Sequence, residues 1–161
     1  MPKVFGKLSQ EFPKFKFFVS HQCGVGNLEE TKSHYDLIDR VFDLSLFEFE
    51  ESMENFYSDA DLIISRSGAL SVSEICETQN IAVFIPLKSS IDNHQYENAK
   101  YLVQKNSAFL CEEDCLEENL LKLIRKIVND PKVLQDMKKN ISEVSLTDNK
   151  KIILKKILSY E

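Results

Sequence analysis

The hydrophobic positions of this chain change their spacing along its length, and those changes predict alternating helices and strands. Val4, Leu8 and Phe12 recur every fourth residue, the spacing of one helix face, and predict a helix over 2–12. Phe15, Phe17, Phe18 and Val19 crowd strand-favouring side chains together and predict a strand over 14–20. His21-Gln22-Cys23-Gly24-Val25-Gly26 then reads as a turn. A polar stretch at 28–35 predicts a second helix, 41–47 a second strand and 52–57 a short helix. From Asp61 the alternation is regular: a strand at 61–65, a helix at 70–79 stopped by a left-handed Asn80, a strand at 81–85 ended by Pro86, a helix at 93–105 and a short strand at 108–110. Asp114-Cys115-Leu116-Glu117 reads as a capping box opening a helix with Leu116, Leu120, Leu123, Ile124 and Ile127 on one face. Asn129-Asp130-Pro131 stops that helix and starts another, with Asp130 as cap and Pro131 at the first helical position. A last amphipathic helix carries Ile152, Ile153, Ile157 and Leu158. Strands that alternate with helices imply a mostly parallel sheet covered on both faces, and no linker or repeat divides the chain. The expectation is one α/β domain over residues 1–161.

Composition narrows the class. The 161 residues are 43% hydrophobic, enough for a real core. A net charge of −6 argues against a nucleic-acid partner, which needs a clustered basic face. No apolar run reaches the length of a transmembrane helix, and Met1-Pro2-Lys3-Val4-Phe5-Gly6 lacks the apolar core of a signal peptide, so the chain reads as cytoplasmic. Cys23, Cys76, Cys111 and Cys115 follow neither a disulfide framework nor a metal-ligand spacing; free thiols, no metal and no cofactor are expected.

The candidate chemistry sits in two polar loops after successive strands. Ser65-Arg66-Ser67-Gly68-Ala69-Leu70-Ser71-Val72-Ser73-Glu74 puts a small-residue turn and a helix N-terminus at the carboxyl end of a strand, where open α/β sheets bind phosphorylated ligands. Ser67, Gly68, Ala69, Leu70 and Ser71 can hold a phosphate through backbone N–H groups and a hydroxyl; the alternative is an ordinary strand-to-helix turn. Glu74 has two readings. As the last residue of Ser71-x-x-Glu74 it closes a capping box, and as a bare carboxylate it accepts both hydroxyls of a ribose. The second loop, Asp92-Asn93-His94-Gln95-Tyr96-Glu97-Asn98-Ala99, crowds amide, imidazole and carboxylate groups that suit sugar hydroxyls, or else structural roles at a helix start. No Ser or Cys is spaced for a catalytic triad. Residues alone therefore point to a nucleotide or nucleotide-sugar pocket.

Ser65 to Glu74 together with Asp92-x-His94-Gln95-x-x-Asn98-Ala99 resembles the donor-site signature of the MurG family, bacterial transferases that move GlcNAc from UDP-GlcNAc to lipid-linked MurNAc-pentapeptide. His21-Gln22-Cys23-Gly24 and Phe49-Glu50-Glu51-Ser52-Met53 are similar to two further family motifs, in the same order. The resemblance implies a GT-B enzyme of two Rossmann-like domains, of which this chain corresponds to the C-terminal, donor-binding one. It implies that Glu74 binds the ribose diol, and that Ala69, Leu70 and Ser71 present donors to the diphosphate or sugar. It further implies that His94 and Gln95 contact GlcNAc hydroxyls, that Asn98 is among the donor-binding residues, and that backbone groups around Phe49 and Glu50 read the uracil edge. The family has a hydrophobic residue where this chain has Glu50. Its mechanism is an inverting transfer in which the helix N-terminus stabilises charge on departing UDP, so no metal is obligatory.

The family's C-terminal domain opens with a strand and a glycine-rich loop, whereas this chain opens in the helix that follows them. The expectation is a domain lacking its first strand, which in the order 3-2-1-4-5-6 lies mid-sheet, and inactive without the N-terminal acceptor domain that brings the lipid-linked acceptor. Three alternatives stay open: a small subunit of a split GlcNAc transferase, a non-catalytic nucleotide-sugar-binding or interaction module, and a decayed fragment. Lys150, Lys151, Lys155 and Lys156 on the final helix suit either an anionic membrane surface or a solvated helix face. The whole enzyme is expected to work at the cytoplasmic face of the inner membrane.

Overall fold

A computed structural model describes residues 1–89 and 93–146. Helices and strands alternate: α1 (Pro2–Glu11), β1 (Phe18–Gln22), α2 (Leu28–Asp36), β2 (Asp43–Phe47), α3 (Met53–Ser58), β3 (Ile63–Ser65), α4 (Ala69–Glu77), β4 (Ala82–Phe84), α5 (His94–Gln104), β5 (Ala108–Leu110), α6 (Leu116–Asn129) and α7 (Lys132–Leu146). The predicted helix at Ile152–Leu158 and residue Asp92 lie outside the described residues. All strand pairs are parallel, as the βα alternation requires.

Strand β4 is the centre of the packing because all three of its residues are apolar and buried. Alternation sends them to opposite faces. Ala82 and Phe84 join a core with Ile63, Tyr57, Val72, Ile75, Ala99, Leu102 and Val144, packed by α3, α4, α5 and α7. Val83 and Ile85 join Val4, Leu8, Phe17, Leu120, Leu121 and Ile124 on the other face, packed by α1 and α6. The four-residue spacing of α1 and the apolar stripe of α6 are what let those two helices meet, with Lys7–Glu117 (2.5 Å) and Arg125–Glu11 (2.8 Å) pairing at the rim.

The sheet is in two parts, β1-β2 and β3-β4-β5. Helices α1 and α2 share a face, since Phe42 stacks on both Phe5 and Tyr35, whereas α3, α4 and α5 lie on the other.

Several local expectations need correction. The first strand is displaced to Phe18–Gln22, so His21 and Gln22 pair with Leu46 and Phe47 instead of turning. A turn after Pro13, closed by Phe15 N–H to the Phe12 carbonyl (2.9 Å), uses up the start of the aromatic run. The turn proper follows, at Gly24 and Gly26, both with φ near +80°. The left-handed residue after α4 is Gln79, not Asn80; Asn80 is buried and donates to the Tyr57 carbonyl. The box at Asp114 does not form: the residue before α6 is a left-handed Cys115, Glu117 pairs with Lys7 and Asp114 with Lys88. Asp130 does accept a backbone N–H, from Lys132 (3.2 Å), with the helix beginning one residue later than expected.

Candidate functional site

The loops that leave the carboxyl ends of β1 to β5 share one edge of the molecule, and both polar motifs lie on it. After β3 the chain passes through Arg66, Ser67 and Gly68 into α4. Gly68 is extended (φ −61°, ψ 148°) and starts the helix, because its carbonyl accepts the Val72 N–H at 3.0 Å. The N–H groups of Ala69, Leu70 and Ser71 therefore have no partner within the helix. No side chain caps this end, and a Cβ placed on Gly68 would meet nothing within 4 Å. Leu70 stands 72% exposed there. Among the described residues this is an open helix N-terminus with three unpartnered donors and a favourable dipole for an anion.

That boundary rules out the capping-box reading of Glu74. With the helix beginning at Ala69, Ser71 is its third residue and Glu74 its sixth, too deep for a capping box. Leu70, Ser71 and Glu74 instead share a face, Glu74 one turn below the free amides. The half-buried carboxylate is met by the Tyr57 hydroxyl, whose pKa is raised by burial first, then by the charge and hydrogen bond of Glu74. Tyr57 is a site residue that sequence reasoning missed.

The neighbouring side chains hold the loop in place. Ser67 is fully buried; its carbonyl accepts from Asn98 Nδ2 at 3.0 Å, and its hydroxyl is the one buried side-chain polar atom without a partner among the described residues. Asn98, itself buried on α5, thus ties the second motif to the first. Gln95 does similar work: its Oε1 accepts the Leu87 N–H (3.0 Å), fixing the loop after β4. His94 begins α5 after a left-handed Asn93 and is half-buried.

A network of charged groups binds the three loops together. Arg66 pairs with Glu113 (2.6 Å) and donates to the Ile85 carbonyl (3.2 Å), while the other Glu113 oxygen accepts the Lys88 N–H (3.0 Å). The Lys88 N–H and the Arg66 guanidinium hold the Glu113 carboxyl below the usual carboxylate range. Arg66, Lys88 and Glu113 follow β3, β4 and β5, so one network spans all three.

The remaining candidates sit after β1 and β2. Phe49 is 67% exposed. Glu50 Oε1 accepts the Ser52 N–H (3.0 Å) ahead of α3, so the acidic residue has a local use that leaves the backbone of 49–50 unobstructed by it. Gly26 N–H donates to Glu48 (2.6 Å) and Cys23 Sγ to the Phe47 carbonyl (3.2 Å), which draws the two loops together. His21 faces inward: its Nδ1 meets the Tyr35 hydroxyl at 3.0 Å, and burial lowers its pKa. The structure thus brings Ser67 to Ser71, Glu74, Gln95 and Asn98 together, and sets Phe49 and Glu50 on the adjoining loop of the same edge.

Comparisons with known proteins identify the family. A family model described as glycosyltransferase family 28 C-terminal domain matches residues 1–153. A UDP-N-acetylglucosamine–N-acetylmuramyl-(pentapeptide) pyrophosphoryl-undecaprenol N-acetylglucosamine transferase of Francisella tularensis is 36% identical over 163 residues, 99% of this chain and 43% of that protein. The transferase of the same name from Rickettsia bellii is 32% identical over 142 residues, 88% of this chain and 39% of that protein. Among solved structures, MurG of Acinetobacter baumannii superposes with a TM-score of 0.75 at 28% identity, covering 98% of this chain and 48% of the other. The chain spans about two fifths of the length of these sequence relatives.

Proposed function

The chain belongs to the glycosyltransferase family 28 C-terminal domain family, and from that premise we propose that it is the UDP-GlcNAc-holding part of a MurG-like N-acetylglucosaminyltransferase. The observation that carries the reading is the pairing, on one face of α4, of three amides without a partner among the described residues with the Glu74 carboxylate one turn below. A nucleoside diphosphate has matching parts: an anionic diphosphate for the amides of Ala69, Leu70 and Ser71, and a ribose diol for Glu74. Ser67 and Gly68 shape the loop, and the open space at Gly68 lets a phosphate approach the backbone. His94 and Gln95 stand at the next helix start, on the GlcNAc side. Backbone groups of Phe49 and Glu50 read the uracil edge, with Glu50 engaged on Ser52.

In the transfer, an acceptor hydroxyl attacks the anomeric carbon of GlcNAc and UDP leaves. Charge grows on the diphosphate as the bond breaks, and the helix terminus stabilises it more in the transition state than in the bound donor. The acceptor, a lipid-linked MurNAc-pentapeptide, and the base that takes its proton belong to the other half of the enzyme. The chain alone therefore binds donor without turning it over, and the whole enzyme works at the cytoplasmic face of the inner membrane.

Calorimetric titration tests the reading. UDP and UDP-GlcNAc bind, ADP binds at least ten-fold more weakly, and Glu74→Ala costs about 1.5–3 kcal/mol of UDP affinity as a charge-assisted hydrogen bond is lost. Equal affinity for UDP and ADP, or an unaltered Glu74→Ala, refutes it; absence of binding to all three supports a decayed fragment instead.

A further inference from the structure

Helix α3 carries an inference that rests on the donor-site reading and extends it to a residue beneath the binding surface. Glu74 is half-buried on α4, at the end of a long side chain with several rotamers. A carboxylate that accepts two adjacent hydroxyls needs both oxygens turned to the ribose, and ordering a free one weakens binding. The group that fixes it lies on α3. Tyr57 is 5% exposed, and its ring packs in the core with Val72, Ile75 and Cys76 on the buried face of α4. From there its hydroxyl donates a hydrogen bond to the Glu74 carboxylate.

The backbone of Tyr57 is held as well as its ring. Its carbonyl accepts from the buried Asn80 Nδ2, which follows α4, and from the Ala60 N–H (3.1 Å). Phe56, beside it, sets its ring edge-on against Phe47 at the end of β2, with centroids 5.2 Å apart. The phenol keeps its proton, because burial, then the charge and hydrogen bond of Glu74, raise its pKa above the ordinary 10.0. Helix α3 also starts where the loop of Phe49 and Glu50 ends. Glu50 accepts the Ser52 N–H (3.0 Å), and the Ser52 carbonyl accepts the Phe56 N–H (3.1 Å). One short helix thus joins the loop assigned to the base to the carboxylate assigned to the ribose.

We propose that Tyr57 is a positioning residue: through its hydroxyl, α3 sets the Glu74 carboxylate as a two-oxygen acceptor for the ribose diol and ties that orientation to the base-reading loop. A carboxylate has about four acceptor sites, so one bond from Tyr57 leaves sites on both oxygens for the diol. The bond orders Glu74 before the ligand arrives, and ordering one such side chain in advance corresponds to about three- to ten-fold in affinity. Burial leaves Tyr57 no surface for the nucleotide, so its effect on binding passes through Glu74.

The test is a double-mutant cycle on the full chain, read by calorimetric titration with UDP and by NMR titration where affinity is weak. Tyr57→Phe keeps the ring and removes only the hydroxyl. It weakens UDP about three- to ten-fold, and weakens 2′-deoxy-UDP, which offers one hydroxyl of the pair, less than about two-fold. In a Glu74→Ala background the same substitution leaves UDP affinity unchanged within about two-fold. Equal losses in both backgrounds mean that the hydroxyl only holds the fold together, and they overturn the proposal. So does a Tyr57→Phe chain that binds UDP as tightly as the parent while Glu74→Ala binds it weakly; the donor-site reading then stands. UDP affinity untouched by either substitution overturns that reading and this proposal with it.

Discussion

Replacing Asn98 with alanine removes a side-chain bond that joins the second polar motif to the first. In the parent chain Asn98 Nδ2 donates to the Ser67 carbonyl at 3.0 Å, with Asn98 buried and Ser67 fully so. Alanine strips the partner from a carbonyl that water cannot reach, and leaving such an acceptor unsatisfied costs about 1–3 kcal/mol. A two-state domain of this size loses roughly 2–4 °C of melting temperature per kcal/mol, so the expected drop is about 2–12 °C. Ser67 directly precedes Gly68 and the free amides of α4, so UDP affinity falls together with stability. Urea denaturation monitored by circular dichroism measures the first effect and calorimetry the second. Lys122→Ala is the control, because its pair with Glu118 (2.7 Å) is exposed and screened by solvent, so its loss leaves stability close to the parent. The reasoning is refuted if Asn98→Ala unfolds within about 0.5 kcal/mol of the parent, the range of surface substitutions.

Other substitutions test other parts of the account. Ile75→Ala and Leu102→Ala, at fully buried positions under α4 and α5, each cost about 2–5 kcal/mol in the same urea assay, and a smaller loss would mean that this core is loosely packed. Burial lowers the pKa of His21, so the unfolded chain binds its proton first; stability is full above 6.5 and falls as pH drops from 6.5 through the folded pKa, and His21→Gln flattens that part of the profile. Glu113→Ala frees the Lys88 amide, which then exchanges faster by NMR; it also removes stability that the parent loses only as pH falls below 4.5, since a carboxyl held low contributes above its unfolded pKa.

How much of this was legible in the sequence varies by residue. The strand-helix order from Asp61 onward was plain because each element there is short, apolar in period and punctuated by Gly68, Pro86 or a polar loop. The start of β1 was not, because Phe15 and Phe17 look like strand residues and only the turn closed on Phe12 sets them aside. Glu74 was ambiguous for a physical reason: a capping box and a ligand carboxylate share one local pattern, and the helix start at Ala69 separates them. Gln79 and Cys115 took left-handed conformations that side-chain preference assigns to Asn and Gly. The Arg66–Glu113–Lys88 network was invisible because its members lie 47 and 25 positions apart, and only the parallel sheet brings them to one edge. The division of the sheet into β1-β2 and β3-β4-β5 came from the backbone pairing alone.

Heteronuclear NMR of the chain titrated with UDP tests the central claim most directly. The account predicts that the amide resonances of Ala69, Leu70 and Ser71 shift first and furthest, with Glu74 following on the same helix face and with α6 and α7 unmoved. Saturable shifts confined to other surfaces, with the first turn of α4 unchanged, would contradict it.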